Sequence, residues 1–195
     1  MAKINFKKGL TDIVLYIIIF IVVQIFLTCA GAGIWAAVKG EGYQATLLAM
    51  HTGNNAILTA LTTVFSNVIT LIIFLKAKWT PITRNYLQSK PWISLLWVAL
   101  FTLGAIIPLE FVYEQIGIEM DADTERVFAS LMKEPWGYVA IGILAPLAEE
   151  IVFRGAILRT LLDMVSKKNH WVAIFISAAV FGLIHGNKAQ FINAL

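Results

Sequence analysis

The chain has 195 residues, 59% of them hydrophobic and 14% charged, with a mean hydropathy of +0.79 and a formal net charge of +3. That balance points to a polytopic membrane protein and gives no basis for binding nucleic acid. One cysteine, Cys29, lies inside an apolar run, which excludes an intramolecular disulfide and suits a packing role.

The N-terminus carries Lys3, Lys7 and Lys8, followed by an apolar run from Ile13 to about Val38. A signal-peptide core is about 7–15 residues long, so this longer run reads as a retained first span. Lys39 to Asn55 is a polar connector in which His51 faces solvent. A second span, Ala56 to Leu75, carries Thr62, Thr63, Ser66 and Asn67, residues expected to hydrogen-bond between helices. A basic connector with Lys76, Lys78, Arg84 and Lys90 leads to Ser89 and Pro91, a helix-start signal. The third span runs to about Leu109, where Pro108 ends or kinks it.

Glu110 to Trp136 is the acidic stretch, with Glu114, Glu119, Asp121, Asp123 and Glu125. Within it Asp123 is placed to cap a short helix whose Val127, Phe128, Leu131 and Met132 form one apolar stripe, the pattern of an interfacial helix. A fourth apolar run, from Trp136 to about Leu162, holds Glu149, Glu150 and Arg154 near its middle. Each such charge costs roughly 2.5–3.5 kcal/mol at the centre of a spanning helix, so the three must face other helices or a polar cavity. Glu150 and Arg154 stand at i and i+4 with the acid first, the favourable order for a pair on one face. Glu149 is rotated about 100° from Glu150 and is left free to act. Desolvation would raise its pKa toward the range useful to a general base.

Ser166 to His170 is a polar turn, and a fifth apolar run follows it, containing Phe181 and His185. Lys167 is 18 positions after Glu149 and 18 before His185. Two antiparallel helices joined there bring both side chains to one depth, roughly 27 Å of helix from the turn at 1.5 Å per residue. A carboxylate meeting an imidazole inside a bilayer is a candidate site for activating water. The fold class expected is an all-α transmembrane bundle of about five spans, each 20–28 residues long, plus the short interfacial helix. Lys and Arg cluster at the N-terminus, in 76–90 and in 166–170, so the positive-inside rule places those ends and the N-terminus in the cytoplasm. Trp79, Trp92, Trp136 and Trp171 fall near span ends, as interfacial anchors should.

Glu149-Glu150-x-x-x-Arg154 followed by Phe181-x-x-x-His185 resembles the first two signature motifs of the CPBP family, the CAAX-processing and bacteriocin-processing (Abi) intramembrane proteases. The resemblance covers roughly residues 90–195, with residues 1–89 a two-span region ahead of it. It implies a multi-helix membrane bundle and hydrolysis of a peptide bond by a glutamate-activated water. Carried over, Glu149 resembles the general base, His185 its partner in holding the water, and Glu150 with Arg154 the supporting pair. The family's third motif, His-x-x-x-Asn or Asp, supplies oxyanion stabilisation and is not found here; the chain reaches Leu195 inside an apolar pattern and reads as truncated.

The implied function is therefore an intramembrane endopeptidase acting on a membrane-associated protein or peptide within the lipid bilayer of the cell membrane. The alternatives are a non-catalytic regulator or bacteriocin self-immunity protein of the same fold, and a proton-relaying transporter, which predicts a repeat symmetry not seen here. No cofactor is expected. Zinc is the lesser alternative, because Glu149, Glu150 and His185 are all possible ligands but no His-Glu-x-x-His pattern accompanies them. The oligomeric state is left open.

Overall fold

The computed structural model describes residues 5–81, 91–117, 120–186, 188 and 191–192. Among these the chain is helical, without strands: α1 Phe6–Lys39, α2 Tyr43–His51, α3 Ala56–Lys76, α4 Trp92–Ile116, α5 Ala122–Leu131, a long α6 over 135–164, and α7 His170–His185. Ser89, Arg84, Lys90, Lys3 and Glu119 lie outside the described residues.

Three helices, α1, α3 and α4, are long and apolar enough to cross a membrane. The remaining two runs depart from the expected span length. Five joined pieces make up α6, and two of them, Ala140–Leu144 and Glu150–Leu158, have the wider π-helical winding. Pro146 accounts for the first: it has no N–H to donate and its ring crowds the carbonyl one turn back. The amide of Ala145 accordingly bonds the carbonyl of Ala140, five residues earlier. α7 has 16 residues, about 24 Å of helix, and stops at Gly186, whose φ of +68° is the left-handed conformation that glycine supplies. Phe191 lies against Gly182.

Other local differences have plain causes. Pro108 does not end the third span, because α4 continues to Ile116 and closes on Gly117 in the left-handed conformation. None of its residues is buried, which suits a helix that is apolar all round. The cap of α5 is Asp121 rather than Asp123, and it accepts from the Thr124 amide at 2.9 Å and the Thr124 hydroxyl at 2.6 Å. Those bonds favour the ionised form and hold the Asp121 carboxyl below the usual carboxylate range. The 39–55 connector contains α2, whose Met50 packs with Ala32 and Leu58. His51 is exposed, as expected.

The core gathers α1, α3, α6 and α7. Ile13, Tyr16, Phe74, Val152, Phe153, Ile157 and Ala173 form its buried cluster. Trp79 packs against Tyr16 and Phe74, both at 5.1 Å between ring centroids, whereas Trp92, Trp136 and Trp171 are exposed. In lipid, helices gain little from excluding water, so close backbone approach and interhelical hydrogen bonds hold them together. Gly31 lies against Thr62, Gly155 against Thr80, and Gly137 against the Leu131 carbonyl. Between α1 and α3, Ser66 donates to Gln24 at 2.6 Å and Gln24 reaches Asn67 at 3.4 Å. Thr62 and Thr63 instead bond back to their own helix, as threonine does when a carbonyl three or four residues earlier is in reach.

Contacts between chain segments fix both ends of the bundle. Gly53 meets Arg126 and Ser130, joining the 39–55 and 110–135 connectors at one end. Gly9 meets Met164, and Arg159 donates to the Pro81 carbonyl at 3.4 Å, joining the three basic segments at the other.

A methyl group on Gly137 would run into the Leu131 backbone, which cannot swing aside, whereas Gly104 has nothing within 4 Å. Gly137→Ala should lower the melting temperature in detergent by the equivalent of about 1–3 kcal/mol or more. Gly104→Ala should be neutral or stabilising by up to about 1 kcal/mol.

Candidate active site

The turn at Lys167–Asn169 folds α7 back along α6, and this brings the second motif onto the first. His185 Nε2 lies 3.5 Å from Glu149 Oε1, with the side chains 20% and 26% exposed. His185 is also held from its other side. Its Nδ1 is 2.8 Å from the carbonyl oxygen of Phe181, one turn earlier. A carbonyl only accepts, so Nδ1 carries the hydrogen and a neutral His185 turns the bare lone pair of Nε2 toward Glu149. Phe181 also packs against the imidazole in a tilted arrangement, with centroids 4.4 Å apart and planes at 55°, and packs edge-on against Phe153 at 4.9 Å.

Glu150 and Arg154 pair as their spacing implies, with Arg154 Nε 3.5 Å from Glu150 Oε2. The pair is not buried, however. Glu150 is 63% exposed and Arg154 47%, so the two project from the described bundle. Adjacent residues on a helix cannot share a face, and Glu149 takes the one toward α7. The Arg154 guanidinium also sits 4.9 Å from the centre of the Phe181 ring. Phe181 thus lies between the two charged pairs and touches a member of each.

Outside hydroxyls fasten this part of α6. Thr80 donates to the Ile151 carbonyl at 2.7 Å, and Ser177 to the Phe153 carbonyl at 3.4 Å. Neither was flagged by the sequence, since a lone hydroxyl far along the chain carries no periodic signal. Phe181 was flagged as part of a motif, and its place four residues before His185 puts its carbonyl within reach of that ring. Among the described residues no three His, Cys, Asp or Glu side chains converge on a point where they could hold a metal ion. Replacing Thr80 by Val keeps the shape and removes the donor to Ile151. Thr80→Val should cost about 0.5–1.5 kcal/mol in detergent melts, more than Ser177→Ala, whose bond is longer.

Comparison with known proteins bears on the same region. Residues 131–195 match the family model described as type II CAAX prenyl endopeptidase Rce1-like. A curated protein of Bacillus subtilis (strain 168), named "Putative membrane peptidase YdiL", is 26% identical over 126 residues, a match covering 62% of this chain and 50% of that protein. The chain therefore spans about half the length of this relative. No solved structure matches. Both similarities support the CPBP/CAAX protease family that the paired motifs resemble, the family model over residues 131–195.

Proposed function

We propose that the protein is an intramembrane endopeptidase in which Glu149 and His185 together activate a water molecule. The 3.5 Å approach of Glu149 Oε1 to His185 Nε2 carries this reading. With Nδ1 committed to the Phe181 carbonyl, a neutral His185 leaves both facing atoms as acceptors. Two acceptors that close are satisfied either by a shared proton or by a water that donates one hydrogen to each. The second arrangement leaves the water's lone pairs directed outward, toward an incoming carbonyl carbon.

In the step that follows, the water oxygen bonds to the peptide carbonyl carbon as Glu149 takes its proton. The proton then passes to the leaving nitrogen as the C–N bond breaks. Glu150 and Arg154 stand outside this exchange; their part is to give the guanidinium a partner and hold it over Phe181. The substrate class is a membrane-associated protein or peptide, reached from within the bilayer. The basic end of the bundle lies in the cytoplasm, where the positive-inside rule puts it.

The test uses proteoliposomes carrying the protein and a pool of membrane-anchored peptides with quenched fluorophores. Glu149→Gln keeps size and most hydrogen bonding but cannot take a proton, so cleavage should fall by about 10²–10⁴-fold with little change in melting. Glu150→Gln should lose much less. Wild-type cleavage no greater than that of Glu149→Gln would overturn the reading. Activity that chelation removes and zinc restores would replace it with a metal site.

A further inference from the structure

α6 and α7 leave a second feature between them, a cavity of about 250 Å³ walled by Leu158, Trp171, Ile174, Phe175, Ala178 and Phe181. Arg154 and Ser177 also line it, the Arg154 charge engaged by Glu150 and the Phe181 ring and the Ser177 hydroxyl by the Phe153 carbonyl. From Trp171 to Phe181 is ten residues of α7, about 15 Å along the helix. Trp171 and Phe175 are 71% and 56% exposed, so the cavity is a groove open to the surroundings of the bundle. In a bilayer a groove walled mainly by apolar side chains and open to the lipid is filled by hydrocarbon.

The charge at one end of the groove is one-sided. Trp171 stands in the first turn of α7, directly after the turn that presents exposed Lys167 and Lys168. The contacts of Gly9 with Met164 and of Arg159 with Pro81 bring exposed Lys7, Lys8, Lys76 and Lys78 to this same end. Against these cations the described residues of this end set the carboxylates of Asp12 and Asp163.

We propose that the groove is a binding site for an anionic phospholipid. One acyl chain lies between α6 and α7 along Leu158, Ile174 and Phe175, and the phosphate rests against Lys167 and Lys168. Exposed Trp171 sits at the level where the headgroup meets the chain, the position tryptophan favours at an interface. Phosphatidylcholine carries a balancing cation on its headgroup, so the lysines select against it. The inference stands apart from the peptidase reading, since lipid can bind whether or not a peptide is cut. It also has a consequence for that reading. Phe181 is both a wall of the groove and the ring packed against His185, so an occupant of the groove touches a side chain in contact with the imidazole.

The test is retention of lipid by the purified full chain in neutral detergent, read by native mass spectrometry and by thermal unfolding. Phosphatidylglycerol, phosphatidylcholine and inorganic phosphate are compared. Phosphatidylglycerol should be retained at least about tenfold better than phosphatidylcholine. The double variant Lys167→Gln, Lys168→Gln should cut its retention by about 10- to 30-fold, on the scale of about fivefold per cation near a charged headgroup. Ala178→Leu, which fills the groove, should lower retention of both lipids. Trp171→Gln, at an exposed position where folding is not at stake, should do the same if Ala178→Leu does not fold. Equal retention of the two lipids, or an unchanged double-lysine variant, would overturn the proposal. So would an equal thermal shift from inorganic phosphate, which would make this a free-anion site. Retention of phosphatidylglycerol by groove variants that have lost peptide cleavage would assign the groove to the substrate instead.

Discussion

A carboxylate at the middle of an apolar helix has to be answered by something, and in this molecule the answer to Glu149 is His185 on the neighbouring helix. The rest of the bundle follows from holding that meeting in place. The turn at Lys167–Asn169 sets the antiparallel register of α6 and α7, and the Phe181 carbonyl fixes the imidazole by its far nitrogen. Glu150, one residue on, cannot share the inward face and finds Arg154 on the outside. Three charges in one apolar run are thus divided between a partly buried acid–imidazole contact and an outward ion pair.

Precision at such a contact depends on the backbone that carries it, and α6 is not a plain α-helix there. Pro146 loosens the winding just before the glutamates, and the turns from Glu150 to Leu158 are wide. Hydroxyls from outside α6, Thr80 and Ser177, bond to carbonyls within this stretch, and Gly155 lets Thr80 come close enough to do so. Interhelical bonds of this kind are worth about 0.6 kcal/mol on average in membranes, up to about 1.7. Their value here lies in aim: a shift of about 1 Å in Glu149 would separate it from the imidazole.

Much of this was legible in the residues. Apolar runs gave the spanning character of α1, α3 and α4, and the equal spacing of Glu149 and His185 about Lys167 gave their meeting, because helix rise is constant and a turn is a mirror for depth. The Glu150–Arg154 pairing followed from i, i+4 geometry, but its exposure did not, since spacing says which residues share a face and not what lies opposite it. The cap of α5 was misplaced by two residues because Asp121 and Asp123 are equally good cap types, and the choice falls to the one whose carboxylate reaches Thr124. Gln24 was passed over inside the apolar run of α1, yet it is the partner that Ser66 and Asn67 need. The short α7 was hidden as well, because the stop at Gly186 depends on a left-handed backbone that one glycine in an apolar stretch does not announce.

The central claim is that Glu149 and His185 act on one water as a unit, and a double-mutant cycle tests it most directly. Cleavage of a membrane-anchored peptide would be measured for Glu149→Gln, His185→Gln and the two combined. Residues that serve a single event are not additive, so the double variant should be about as slow as the slower single one. Losses that multiply, with the double variant slower by the product of the two single effects, would show that the side chains act independently and would contradict the account.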